Sequence, residues 1–89
     1  MLQRDITIIN KLGLHARAAA KLVSTASAHA AQVLISKNGQ QVNGKSIMGV
    51  MMLAAGCGSE ITLSVDGEDE QQALDALVAL IEDRFGEGE

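Results

Sequence analysis

The chain has 89 residues, enough for one domain with a single modest core and too few for two. It contains no Pro, Trp or Tyr, and Phe85 is its only aromatic residue, so the core must be aliphatic. The formal net charge of −4 hides a polarity: residues 1–59 carry Arg4, Lys11, Arg17, Lys21, Lys37 and Lys45 against Asp5 alone, net +5, whereas residues 60–89 carry Arg84 against ten carboxylates, net −9.

That distribution prepares the N-terminal two thirds for an anion or an acidic partner. Nucleic acid is a poor fit, because six scattered cations with no aromatic among them offer neither a phosphate track nor a stacking platform. One cysteine, Cys57, cannot form an internal disulfide. The opening "MLQRDITIIN" has no signal-peptide hydrophobic region, and the longest uncharged apolar stretch, Ile47 to Gly58, falls short of the ~20 residues a membrane helix needs. The expectation is a soluble cytoplasmic protein that does not insert into membranes.

In chain order, "DITII" (Asp5 to Ile9) reads as a strand with Ile6 and Ile8 on one face. From Ala16 the period becomes helical, with Ala19, Leu22, Val23 and Ala26 on one stripe. "QVLISK" (Gln32 to Lys37) alternates again. Asn38-Gly39 supplies the positive-φ pair of a two-residue hairpin, and "QQVN" (Gln40 to Asn43) returns. Ser46 is a natural N-cap for a second helix, Ile47 to Ala55, stopped by Gly56 and Gly58. "EITLSV" (Glu60 to Val65) is a fourth strand. A last helix is predicted from about Asp69 to Phe85, with Leu74, Leu77, Val78, Ile81 and Phe85 buried and Asp69 and Gln72 at capping-box spacing.

The order β-α-β-β-α-β-α, with each helix apolar on one stripe, predicts one α+β domain over residues 1–89. It is a two-layer sandwich with helices on one face of a four-stranded sheet.

The unusual segment is "NKLGLHARAAAKLV" (residues 10–23), which sets a histidine at the mouth of an alanine-rich helix. With His15 at the N-cap, the amides of Ala16, Arg17 and Ala18 form a first turn without intrahelical acceptors, and the helix dipole adds positive charge there. An anion on or beside the ring would meet those donors and the Arg17 guanidinium, with Lys11 and Lys21 adding attraction. The same positive end disfavours imidazolium and leaves a ring nitrogen free as a nucleophile. Gly13 leaves room for another protein's active site to approach. By pattern alone the commoner reading is blander: a solvated histidine beside a helix start.

"GLHAR" at 13–17 and "KSIMGVMML" at 45–53, together with length and element order, make the whole chain resemble the histidine-containing phosphocarrier (HPr) family of the bacterial sugar phosphotransferase system. The resemblance implies an open-faced sandwich with an antiparallel sheet. It implies that His15 accepts a phosphoryl group on Nδ1 from enzyme I and passes it to an enzyme II A-type acceptor, with Arg17 and the backbone of Ala16 and Arg17 holding the phosphate. One position departs from the family: Ala18 stands where proline usually follows "HAR". Alanine preserves the helix and restores one N–H donor.

The second motif is a helix apolar on nearly every side. Ile47, Met48, Met51 and Met52 read either as core fillers or as an adaptable docking patch for partners, and the patch is the preferred reading. Ser46 is an N-cap and also matches the family position phosphorylated by a dedicated HPr kinase, a third partner. His29 and Cys57 suggest no site: His29 falls at a helix end, and Cys57 has no ligands at metal spacing, so neither metal nor cofactor is expected. The competing reading from a different class is a regulatory α+β domain that senses a small molecule without phosphotransfer, its ligand binding indifferent to His15→Ala.

Overall fold

The computed structural model describes all 89 residues. Strands β1 (Leu2–Thr7), β2 (Gln32–Lys37), β3 (Gln40–Asn43) and β4 (Glu60–Asp66) form one sheet of order β1-β4-β2-β3. Every neighbouring pair is antiparallel. Helices α1 (Ala16–Ser27), α2 (Ile47–Met52) and α3 (Glu70–Glu82) complete the expected order. The result is the expected open-faced α+β sandwich.

The core is aliphatic, as composition requires. Ile6, Val33, Ile35, Ile61, Leu63 and Val65 project from the sheet onto Ala18, Ala19, Leu22 and Ala26 of α1 and Leu74, Leu77 and Ile81 of α3, with Phe85 fully buried among them. The alanines of α1 let its backbone lie close to its neighbours, since small side chains shorten the packing distance. Asn38 and Gly39 take the two positive φ values, 50° and 82°, of the hairpin turn.

Four local expectations are corrected. Strand β1 covers Leu2–Thr7 rather than Asp5–Ile9: Ile8 is buried but already leaves the ladder, bonding through its N–H to Ser59 O at 2.8 Å. Helix α2 ends at Met52 instead of Ala55. Ala54 takes φ 51°, and the Lys37 ammonium caps the freed Leu53 and Ala54 carbonyls at 3.4 and 3.2 Å. Helix α3 ends at Glu82, and Arg84–Gly86 make a short 3₁₀ turn in which Arg84 and Phe85 both have φ 55°. The Phe85 ring stays in the core, but the chain beyond it turns toward the start of α1.

The fourth correction concerns Asp69. It makes no capping bond on α3. Its carboxylate instead accepts from the N–H groups of Ala30 and Ala31 at 2.9 and 2.8 Å, tying the α1–β2 connection to the head of α3. These backbone donors, the one from Ala30 foremost, hold the Asp69 carboxyl below its ordinary value of 3.8. A carboxylate with a depressed folded-state pKa stabilises the fold above the unfolded value and loses that effect as acid protonates it. Asp69→Asn, which keeps the shape but surrenders one acceptor, should therefore lower the urea midpoint at pH 7. The gap between the two proteins should close as pH falls below about 3.8; urea titrations at pH 7, 4 and 3 measure it.

Candidate functional site

His15 is the N-cap of α1, with extended backbone angles (φ −74°, ψ 177°) and no capping bond from its side chain. The amides of Ala16, Arg17 and Ala18 accordingly have no backbone acceptor, the first intrahelical bond being Ala19 N–H to His15 O at 2.8 Å. Three donors and the positive end of a 12-residue helix converge on the ring's surroundings. An open cleft of about 660 Å³ lies there, lined by Lys11, Leu12, His15, Ala16, Arg17, Lys21, Gly86, Glu87 and Glu89. Arg17 is exposed on its wall and pairs with no carboxylate, so its fork is available to an incoming anion.

Two acidic residues reach this cleft from the far end of the sequence, and sequence reasoning missed both. After the turn at Arg84–Gly86, the Glu87 carboxylate meets His15 Nε2. Its other oxygen accepts from the amide of fully buried Asn10 at 3.0 Å. These two bonds, the one from Asn10 first, hold the Glu87 carboxyl below its ordinary value of 4.5. Glu89 closes on Lys11 through a 2.8 Å backbone bond and a 3.8 Å ion pair. The Lys21 ammonium bonds the Phe85 carbonyl at 2.6 Å and so fixes the turn that delivers Glu87. The only sequence signal for any of this was Phe85, which had to be buried.

Gly13 has a different task from the one expected. It is buried with φ 68°, and a Cβ there would sit 2.6 Å from the Ala55 carbonyl oxygen and 2.7 Å from Gly56 Cα. Leu14 N–H bonds that same Ala55 carbonyl at 2.8 Å. The close approach that glycine permits is thus internal, between the loop carrying His15 and the loop leaving α2. The clasp places the α2 face beside the histidine cleft.

On that face Ile47, Met48, Met51 and Met52 are exposed, Met48 by 75% and Met52 by 66%, while Val50 alone of the helix is buried. Leu12, on the cleft wall, is 69% exposed and was not singled out from sequence. Ser46 caps α2, its hydroxyl accepting from Gly49 N–H at 3.1 Å. His29 lies apart, its Nδ1 on the Thr25 carbonyl at 3.0 Å. Cys57 is an exposed free thiol, and no three His, Cys, Asp or Glu residues gather as metal ligands.

Comparison with known proteins agrees with this geometry. A family model described as "PTS HPr component phosphorylation site" matches residues 2–83. The phosphocarrier protein HPr of Cupriavidus necator is 70% identical over 89 residues, all of both chains. That of Neisseria meningitidis serogroup B is 57% identical over the same span. Among solved structures, HPr-C-His from Thermoanaerobacter tengcongensis superposes with a TM-score of 0.95 at 49% identity, covering 98% of each chain. Fold, histidine cleft and likeness together define a phosphocarrier domain. The chain belongs to the HPr family of the phosphotransferase system.

The Gly13 contact yields a stability test. Gly13→Ala combines a left-handed backbone with a backbone collision, and should lower unfolding free energy by about 2 kcal/mol or more. Differential scanning calorimetry of the pair checks it, and His15 should lose its fixed relation to α2, seen as changed amide shifts at Ala16 and Ala55.

Proposed function

We propose that His15 is the residue that carries the phosphoryl group, taken on Nδ1 from phospho-enzyme I and handed to an enzyme II A-type acceptor. The observation that supports this reading is the convergence on one ring of three unpaired helix amides, the free Arg17 guanidinium and the Lys11 and Lys21 ammonium groups. Ala16 and Arg17 contribute backbone donors; Arg17 adds a planar fork matched to phosphate oxygens. The domain itself completes no reaction. It stores a phosphoryl group between two partners, so the site must be open, and the 660 Å³ cleft is. The small-molecule sensor has no comparable support, because the other surface hollow, around Ser36, Lys37, Asn38, Ser59 and Thr62, has no apolar lining to hold an organic ligand.

Incubation with phosphoenolpyruvate and enzyme I should label the protein with an acid-labile phosphate. His15→Ala should abolish the label; labelling undiminished, or moved to His29, overturns the assignment. Arg17→Ala should slow transfer in both directions while changing stability by less than about 0.5 kcal/mol, because the side chain is exposed and unpaired. A large loss of thermal stability with normal transfer would make Arg17 structural.

Both partners are proposed to dock on the apolar surface of Ile47, Met48, Met51 and Met52, whose flexible thioethers suit more than one partner shape. Ser46 is then placed for regulation by an HPr kinase. A phosphate there would bring a charge of roughly −2 to the edge of that surface, hydrating an apolar interface and repelling an acidic one. Ser46→Asp should charge several-fold more slowly than wild type, the deficit narrowing in high salt. Ser46→Ala, which removes the cap at a cost of about 1 kcal/mol, should charge normally. Equal charging of Ser46→Asp and wild type across a range of salt refutes the mechanism.

A further inference from the structure

Under the reading of His15 as acceptor, the carboxylate of Glu87 on its ring needs an explanation. A negative side chain sits on the ring itself, among the Lys11, Arg17 and Lys21 cations that line the cleft. Its placement is not accidental packing, because three separate features hold it. The chain takes three successive positive φ values, 55°, 55° and 74° at Arg84, Phe85 and Gly86, to turn back toward α1. The first two belong to residues with side chains, for which that region is strained. Lys21 secures the turn through the Phe85 carbonyl. Finally, Asn10 receives the carboxylate.

Asn10 shows how firmly Glu87 is fixed. Its side chain has no solvent exposure, and its amide nitrogen donates both to the Gly13 carbonyl at 2.8 Å and to Glu87 at 3.0 Å. Both partners are acceptors, so the amide cannot be reversed without breaking both bonds. The remaining oxygen, Oδ1, is left buried without a partner. An unsatisfied buried acceptor is costly, and its retention marks an arrangement held for another purpose.

The ring nitrogen that faces Glu87 is Nε2. A carboxylate can only accept, so Nε2 carries the proton, and in the neutral ring Nδ1 is then the nitrogen with a free lone pair. Nδ1 makes no bond to the first-turn amides. We propose that Glu87, anchored by Asn10, is a positioning residue for phosphoryl transfer: it fixes the orientation and tautomer of His15 so that Nδ1 is the nucleophile, and it balances the charge the ring acquires.

In the charging step the Nδ1 lone pair forms a bond to phosphorus while the donor's bond to phosphorus breaks, its electron pair leaving with the donor. The Nε2 proton stays in place, so the ring becomes a phosphorylated imidazolium opposite the carboxylate. On discharge the N–P pair returns to Nδ1 and the ring is neutral again. Glu87 takes no proton in either direction. The arrangement parallels a hydrolase histidine oriented by a carboxylate, but with the two ring nitrogens exchanged, the carboxylate partly exposed and the ring itself as nucleophile.

The variants are Glu87→Gln, which keeps size but removes charge, Glu87→Asp, and Asn10→Ser. Uniform ring ¹⁵N labelling of the uncharged wild-type protein should show Nε2 protonated, its proton protected from rapid exchange by the hydrogen bond. In Glu87→Gln, where one uncharged oxygen must replace two carboxylate oxygens for two donors, that protection should fall. With phosphoenolpyruvate and enzyme I, its kcat for charging should fall about tenfold, the scale expected for loss of a charged orienting partner, with KM for the carrier unchanged. Glu87→Asp should recover part of the rate. Asn10→Ser, which removes the anchor together with the bond to the Gly13 carbonyl, should show reduced proton protection with a smaller rate defect, and the Glu87 variants keep the test decisive if Asn10→Ser does not fold.

Faster charging of Glu87→Gln would show the carboxylate to be a plug and overturn the proposal. So would unaltered kcat and unaltered exchange of the Nε2 proton. Failure of the wild type itself to be charged on His15 would instead sink the acceptor reading, while the ¹⁵N measurement on uncharged protein would still decide whether Glu87 sets the tautomer.

Discussion

The hydrogen bond from Leu14 N–H to the Ala55 carbonyl exists because residue 13 has no side chain. It is a local contact with long consequences. On one side it sets where α1 begins, and therefore where His15 and the three unpaired amides point. On the other it sets where the chain leaves α2, and therefore which side of that short helix is turned outward. A histidine cleft and a methionine-rich surface side by side are the product of that one clasp.

The charge polarity of the sequence does not survive folding as a simple division. Acidic side chains from the last third return to the basic part: Glu82 meets Arg4 at 3.7 Å, Glu89 meets Lys11, and Glu87 meets His15. The terminal amine is answered by Asp66 and Glu70 at 3.6 and 3.2 Å. Exposed pairs of this kind add little stability. Their effect is to decide which cations remain unanswered. Arg17 is left free at the cleft, and Lys21 is used on a carbonyl, retaining its charge. At the His15 cleft, Arg17 and Lys21 thus keep their charge while Glu87 and Glu89 offset part of the positive charge around them.

How much of this could be read beforehand follows from how local each cause is. The alternation of Val33 and Ile35, the 3.6-residue stripe of α1 and the Asn38-Gly39 turn are properties of neighbouring residues, and they fold as read. His15 and Arg17 share a wall of one cleft because they share one helical turn. What escaped was set by partners far off in sequence. Asp69 has capping spacing, but the Ala30 and Ala31 amides compete for its carboxylate across 39 and 38 positions. Phe85 satisfies the helical stripe after Ile81, so the period runs unbroken through a place where the backbone is left-handed. The side chain is buried in either case, which is why the pattern concealed the break. Asn10 reads as an ordinary loop residue until Glu87 is delivered to it.

A carrier differs from an enzyme or a receptor in what its site must not do. Tight binding of the phosphoryl group would make charging favourable and delivery slow, since the group must leave from the well in which it sits. Under the role proposed for His15, opposed charges in the cleft would meet both demands: Arg17 and the helix amides would attract the phosphoryl group, while the Glu87 carboxylate in the same cleft and the openness to solvent would weaken that attraction. The ring is held from one nitrogen, which on the proposed reading would leave the other to face successive partners. If partners dock on the exposed apolar face of α2 as proposed, their affinity would lie apart from the chemistry, so that docking could vary without altering the phosphoryl group's energy. On the proposed reading, separating docking from holding would let a domain of 89 residues pass one small charged group between partners.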